Sequence, residues 1–332
     1  MEDKKCTLQT MEEILCNISA REIDDAQFLR IESAYNICLA LLWIEEKFNI
    51  ITGNYYDLEQ EIEENYNYFL VNQSSDSNCN ILFHKYGSEK IVVLNRKLNN
   101  LLSSIRLYQD QTFHELSTLE KQLGITDLVK KFKDKTHELY DESLAYQLLE
   151  LMRNHMQHQG LIIERITAII PLFKRNVESE LWYFIETNHK KVRLIDKFNQ
   201  KINLKKELQT QGEWINLIGM IREYYIQLIK LHNTFREITS KILDDAIKNI
   251  SDVKRIYYHD MPVLKIAFYG KKGNDSFEDF LLQFNYIEKI INYRQDVPSV
   301  DISKYFIGKR VFMDMSKIKV SNSTTCSIRY NM

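Results

Sequence analysis

Glycine and proline are scarce: nine and three in 332 residues, where average usage would supply about 40 between them. A chain so poor in turn-forming residues excludes a many-stranded sandwich, a collagen-like repeat and a glycine-rich linker. No GxGxxG or GxxxxGK[ST] loop can be assembled, the nearest approach being Gly270 and Gly273 in GKKG, so a phosphate-cradling loop is nearly excluded as well. The five cysteines (Cys6, Cys16, Cys38, Cys79, Cys326) form no CxxC and are odd in number, which fits neither a disulfide framework nor a zinc site and points to a reducing compartment. Long apolar runs are missing too. The longest is Ile37 to Ile44, eight residues, against the roughly 20 that cross a bilayer, and MEDKKCTLQTMEEIL at the N-terminus lacks the apolar core of a signal peptide. The expectation is a soluble, cytoplasmic chain with no membrane association. With 44 Lys and Arg against 46 Asp and Glu the formal charge is -2, so no global positive field draws in nucleic acid and any such binding must be local.

What is present reads as helix. From Asp24 to Val71 there is no proline and one glycine; AYNICLALLWIEE is apolar nearly all round, as a central bundle helix is, and after Gly53 the segment YYDLEQEIEENYNYFLV reads as a second, acidic helix ended by the polar loop 72–80. Between Ser88 and Leu123, Ile91, Leu94, Leu98, Leu101, Ile105 and Tyr108 alternate steps of three and four, the seam of helix packed on helix, and Gly124 stops it. A short basic helix at DLVKKFKDK precedes DESLAYQLLELMRNHMQHQ, which is opened by acids and closed by Gly160. LIIERITAIIPLF and ELWYFIETN are β-branched and aromatic, and predict a pair of antiparallel strands. A long helix is expected from Leu204 to about Ile250, then a strand at VLKIAFY, a turn at GKKGNDS and a helix at FEDFLLQFNYIEKIINY. The fold class expected is mainly α: a helical bundle over 1–160, a small antiparallel β excursion over 161–203, a helix completing the bundle over 204–250, and a small α+β region over 251–332.

One segment rises above ordinary helix. At 100° per residue, Leu144, Ala145, Leu148, Leu149, Leu151, Met152, His155 and Met156 fill one arc of the 144–160 helix, the core face. Tyr146, Gln147, Glu150, Arg153, Asn154, Gln157 and His158 fill the opposite arc. A cation, an amide, a carboxylate and an imidazole on one strip form a surface suited to handling phosphate.

Arg153-Asn154-His155-Met156-Gln157-His158 resembles the R-N-x-x-x-H form of the R-x(4 to 6)-H motif of the HEPN (higher eukaryotes and prokaryotes nucleotide-binding) superfamily, where it lies at the end of a helix in an all-helical bundle. The longer string LLELMRNHMQHQG, the strand-like run after it and the helix LIGMIREYYIQLIKLHNTFREI extend the likeness, to bacterial proteins with HEPN-like motifs, over about residues 88 to 250. The resemblance implies metal-independent RNA cleavage in which the ribose 2′-hydroxyl attacks the adjacent phosphorus and leaves a cyclic phosphate, with no cofactor. It implies a homodimer that brings two copies of the motif into one cleft, and a role as a toxin or antiviral-defence effector, with an antitoxin or defence-system protein as partner. Arg153 would offer a permanent fork of donors to the phosphate, His158 would move the proton, biased towards the acid role by the helix C-terminus, and Asn154 would orient phosphate or imidazole.

Each assignment has a structural alternative. Arg153 could pair with Glu150, three residues earlier; His158 could bond the last helix carbonyls; His155 falls in the apolar arc and reads as a core histidine. Glu150 and Gln157 on the same strip, and Arg106 with Asp110 on the preceding long helix, could support the site from behind, or Arg106 and Asp110 could form a surface salt bridge. Lys190, Lys191 and Arg193, in a run of seven basic residues against one acid from Lys190 to Lys206, and Lys130 and Lys131 in LVKKFKDK are candidates for RNA backbone contacts or a solvated face. The remaining histidines have no metal-binding spacing, so no metal is expected. The reading from a different class is a non-catalytic helical module for interaction or assembly.

Overall fold

A computed structural model describes residues 6–10, 21–71, 77–158, 160–169, 182–188, 214–258, 265–272 and 276–296. The fold is mainly α. Among the described residues the order is β1 (Cys6–Thr10), β2 (Arg21–Ile23), α1 (Asp25–Val71), α2 (Ser77–Leu123), α3 (Leu128–Glu142), α4 (Leu144–His158), β3 (Arg165–Ile169), β4 (Trp182–Asn188), β5 (Trp214–Asn216), α5 (Leu217–Tyr258), β6 (Lys265–Lys272), β7 (Ser276–Gln283) and α6 (Phe284–Gln295). None of these helices is long and apolar enough to cross a membrane.

Among the described residues the chain forms two compact units built from interleaved segments: the stretch up to Phe48, Asp110–Lys133 and the stretch from Asn233 onward in the first, and Asn49–Gln109 with the stretch from Asp134 to His232 in the second. In the first unit four strands form an antiparallel sheet in the order β2-β1-β6-β7. Asp24 caps α1: its Oδ1 accepts from the Gln27 N–H at 2.7 Å and its carbonyl from the Phe28 N–H at 3.0 Å. Ile31, Leu41, Leu42, Ile44, Phe132, Phe235, Ile266, Leu282 and Ile290 are buried in this unit. Glu45, also buried, is held by Arg236 Nη2 at 2.7 Å and Arg294 Nε at 2.7 Å, which ties α1, α5 and α6 through one carboxylate.

The second unit carries the seam expected from the sequence. Leu94, Leu98, Leu101, Ile105 and Tyr108 are all buried, with Ile91 half-buried at its edge. Ile51, Tyr55, Leu58, Ile62, Ile221, Tyr225 and Leu228 are buried in the same unit. Glu59 and Arg222 form a two-pronged ion pair with both bonds at 2.7 Å, both side chains 4% exposed, and Tyr55, stacked on Tyr225 at 4.0 Å, donates its hydroxyl to Glu59 at 3.0 Å. The three-stranded sheet β3-β4-β5 is antiparallel throughout, and the pair of strands expected from composition is β3 and β4. Tyr183, Ile185, Thr187 and Ile215 make its buried face.

Four expectations are corrected. The chain does not break at Gly53: α1 is one helix of 47 residues. A mid-helix glycine costs only about 1 kcal/mol, and buried Ile51, Tyr55 and Leu58 on either side outweigh it. The long helix expected from Leu204 begins at Leu217 and runs to Tyr258, because Trp214–Asn216 pairs with β4 as a third strand; 204–213 lies outside the described residues. The helix expected from Phe277 begins at Phe284. Phe277, Phe280, Leu281 and Phe284 have helical spacing, yet Ser276–Gln283 forms an eight-pair ladder with β6 that satisfies its backbone instead. The helix expected from Ser88 starts at Ser77, inside the polar stretch read as a loop.

Gly124 is where its sequence position predicts. With φ at +64° it ends α2, and the Ile125 N–H donates to the Glu120 carbonyl at 3.1 Å, the six-to-one bond of a left-handed helix end.

Candidate functional site

The candidate residues lie on α4. Ser143 starts it: its Oγ accepts from the Tyr146 N–H at 3.2 Å, its carbonyl from the Gln147 N–H at 3.1 Å, and its hydroxyl donates to Glu223 Oε1 of α5 at 2.6 Å. The acids Asp141 and Glu142, expected to open this helix, belong to the end of α3. At the far end the Gly160 N–H donates to the His155 carbonyl at 3.2 Å, and φ at +142° turns the chain in a way that favours glycine.

Ala145, Leu148, Leu149, Leu151, Met152 and His155 are buried as the core arc requires, with Leu144 and Met156 half-buried. Tyr146 is the exception. Expected on the polar strip, it is 2% exposed. Gln109 of α2 donates to its hydroxyl, and its ring packs edge-on against Tyr224 of α5 at 4.8 Å and Tyr140 of α3 at 5.7 Å. Neighbours on three other helices cover the first turn of the strip. Burial raises the Tyr146 hydroxyl well above its ordinary range, the Glu150 charge adds to this, and the Gln109 hydrogen bond and the Arg106 charge oppose it. Gln147 is also committed, donating to the Tyr140 carbonyl at 2.8 Å.

The open part of the strip is its C-terminal half. Arg153 Nη2 donates to Asn154 Oδ1 at 2.7 Å, and Arg153 Nε lies 3.5 Å from Glu150 Oε2. The Arg153 and Glu150 side chains are 11% and 16% exposed, so both are largely buried. Gln157 and His158, in the last turn, are exposed. The structure therefore gathers Glu150, Arg153 and Asn154 into one hydrogen-bonded and ion-paired group and presents Gln157 and His158 to solvent beside it. Arg106 is exposed on α2, one turn before Gln109, where its charge acts on Tyr146; Asp110 is exposed one turn further along the same helix. Lys130 and Lys131 are exposed on α3. Lys190, Lys191 and Arg193 lie outside the described residues.

Two supporting residues were not found by sequence reasoning. Tyr224 donates its hydroxyl to Glu150 Oε1 at 2.6 Å, from a fully buried position where loss of solvent, with the Glu150 charge next in weight, raises its ionisation far above the usual tyrosine range. Asn95 of α2 clamps the chain just past Gly160: its Oδ1 accepts from the Ile162 and Ile163 N–H groups at 3.0 and 2.9 Å, and its Nδ2 donates to the Ile163 carbonyl at 2.8 Å. A polar residue next to an apolar seam position is the only trace of Asn95 in the sequence, and Tyr224 lies 74 residues from Glu150, beyond any local pattern.

Among the described residues, no three His, Cys, Asp or Glu side chains gather as a group able to hold a metal ion. The chemistry this arrangement can supply is that of its own groups: a guanidinium oriented by a neutral amide, a carboxylate behind it, and an imidazole open to solvent. No family model matches the chain, and neither a curated protein nor a solved structure matches it.

Proposed function

We propose that the protein is a HEPN-like endoribonuclease that cleaves RNA without a metal, at a composite site in a homodimer, and that it serves as a toxin or antiviral-defence effector. The biological role rests on the resemblance of the RNHMQH string to that superfamily. The observation that carries the chemical reading is the largely buried Arg153, oriented by Asn154 at 2.7 Å, five residues before an exposed His158 on the same helix.

In the reaction, the 2′-hydroxyl oxygen bonds to phosphorus as its proton leaves to a base, and the 5′-oxygen departs as it takes a proton from an acid. One imidazole cannot stand on both sides of an in-line displacement, so a second copy of His158 supplies the other role across the dimer axis. Arg153 stabilises the charge that grows on the phosphoryl oxygens. The exposed lysines Lys130 and Lys131, with Lys190, Lys191 and Arg193, supply backbone contacts.

The test is incubation of the purified chain with RNA in the presence of a chelator, beside Arg153→Ala and His158→Ala. Loss of cleavage in both variants with unchanged thermal midpoints supports the reading; cleavage that persists in both, or is absent from the parent, overturns it. A specific observation favours the rival, a non-catalytic helical interaction module: the Arg153 charge already faces Glu150 at 3.5 Å within the chain. Under that reading Arg153→Ala lowers stability and nothing else.

A further inference from the structure

The two oxygens of Glu150 are engaged unequally. Oε1 accepts the Tyr224 hydroxyl at 2.6 Å, whereas Oε2 stays 3.5 Å from Arg153 Nε. A charge-assisted N–H···O bond closes to about 2.7–2.9 Å when nothing prevents it, and a carboxylate three residues before an arginine on one helix face is placed to do so. Tyr224 prevents it. Its ring is buried and packed edge-on against Tyr146 at 4.8 Å, so its hydroxyl cannot follow Glu150 if that side chain swings outwards. Arg153 meanwhile keeps its short bond for Asn154 Oδ1 at 2.7 Å, a neutral partner that orients the guanidinium without cancelling its charge.

We propose that Tyr224 is a positioning residue, whose hydroxyl tethers Glu150 away from Arg153 and so leaves the guanidinium available to an anionic ligand. That the anion is an RNA phosphodiester rests on the ribonuclease reading above; the tether itself does not. Without the hydroxyl, Glu150 closes on Arg153 as an internal competitor, and an incoming phosphate must displace it. Without the Glu150 charge there is no competitor, whatever residue 224 is.

The test compares the full-length parent with Tyr224→Phe, Glu150→Gln and the double variant. Tyr224→Phe removes a single oxygen from a packed ring, and thermal midpoints check that all four proteins fold. The first readout is anisotropy titration with a 2′-O-methyl RNA oligonucleotide, which has no 2′-hydroxyl and is not cut. Tyr224→Phe is expected to weaken binding roughly fivefold, the scale of one partly exposed ion pair, and the double variant to regain the parent affinity. That recovery is what a merely structural role for Tyr224 cannot produce. The second readout needs no RNA: with selectively 15N-labelled arginine, hydrogen exchange at Arg153 Nε slows in Tyr224→Phe and speeds up in Glu150→Gln. Unchanged Arg153 exchange in Tyr224→Phe, or weaker RNA binding that Glu150→Gln does not restore, overturns the tether. If no protein binds the oligonucleotide while Arg153 exchange moves as expected, the tether stands and the ribonuclease reading falls. If all four bind it equally, the tether falls and that reading survives.

Discussion

Asn95 and Ile163 exchange two hydrogen bonds across 68 residues of sequence: the Ile163 N–H donates to Asn95 Oδ1 at 2.9 Å, and Asn95 Nδ2 donates to the Ile163 carbonyl at 2.8 Å. One side-chain amide thus takes the place of a strand neighbour for the segment that leaves the motif helix, with Ile162 adding a third bond. Asn95 is 1% exposed and Ile162 and Ile163 equally so, so water cannot replace the amide. Asn95→Leu is expected to destabilise the protein by about 2–4 kcal/mol, since it strands buried backbone donors and an acceptor together. Urea unfolding measures the loss, and hydrogen exchange at the Ile162 and Ile163 amides locates it. Unaltered protection there would show that the clamp does not hold the segment.

The Glu59–Arg222 pair predicts an asymmetry between single and double substitution. Breaking it with Arg222→Leu leaves a buried carboxylate and is expected to cost about 3–5 kcal/mol. Replacing both members, as Glu59→Met with Arg222→Leu, removes both desolvation penalties and should recover most of that loss. A double-mutant cycle by urea unfolding reads the coupling directly. Equal losses in the single and double variants would mean that the unpaired buried carboxylate is not what makes the single substitution costly.

Gly53 lies exposed inside α1, and a Cβ built there meets nothing within 4 Å. Gly53→Ala is therefore expected to stabilise the protein by about 0.5–1 kcal/mol, through the helix propensity of alanine and a less flexible unfolded chain. A rise in urea midpoint at constant slope is the signature, and a fall would indicate a break in the helix at this position.

Stability should decline at both ends of the pH scale for separate reasons. Burial lifts the Cys38 thiol to about 12 and raises the hydroxyls of Tyr55, Tyr146, Tyr183 and Tyr224 above their ordinary range. For groups raised on folding, stability is fully present below their unfolded values, near pH 8.5 for cysteine and 10 for tyrosine, and is lost as the pH climbs beyond them. Glu61 works the other way. Burial pushes its carboxyl up, but hydrogen bonds from Lys90 and Lys97 outweigh that and leave it lowered, so its contribution is present above about pH 4.3 and is lost as the pH falls through its folded value. Urea midpoints at pH 3.5, 7 and 10.5 check both limbs, and a flat profile from 7 to 10.5 would contradict the burial of the tyrosines.

Scarce glycine and proline, with steps of three and four in the apolar residues, were enough to establish a mainly helical chain, because those properties act within one or two turns of backbone. The seam from Leu94 to Tyr108, the helix end at Gly124 and the strand pair around Arg165 and Trp182 follow from local pattern alone. So does the placing of Glu150, Arg153, Asn154 and His158 on one strip, which needs only the helical angle. Errors arose where two local rules pointed in different directions. The helix-like spacing from Phe277 to Phe284 lost to a strand ladder with β6, and the glycine signal at 53 lost to the burial of Ile51 and Tyr55. Only the tertiary structure could decide that Tyr146 is buried, that Tyr224 takes one oxygen of Glu150, and that Asn95 holds the exit of the motif helix. Each of these depends on side chains 37 to 74 residues apart meeting at hydrogen-bond distance, and the free energy of such a meeting comes from the packing of whole helices, which no local stretch of sequence encodes.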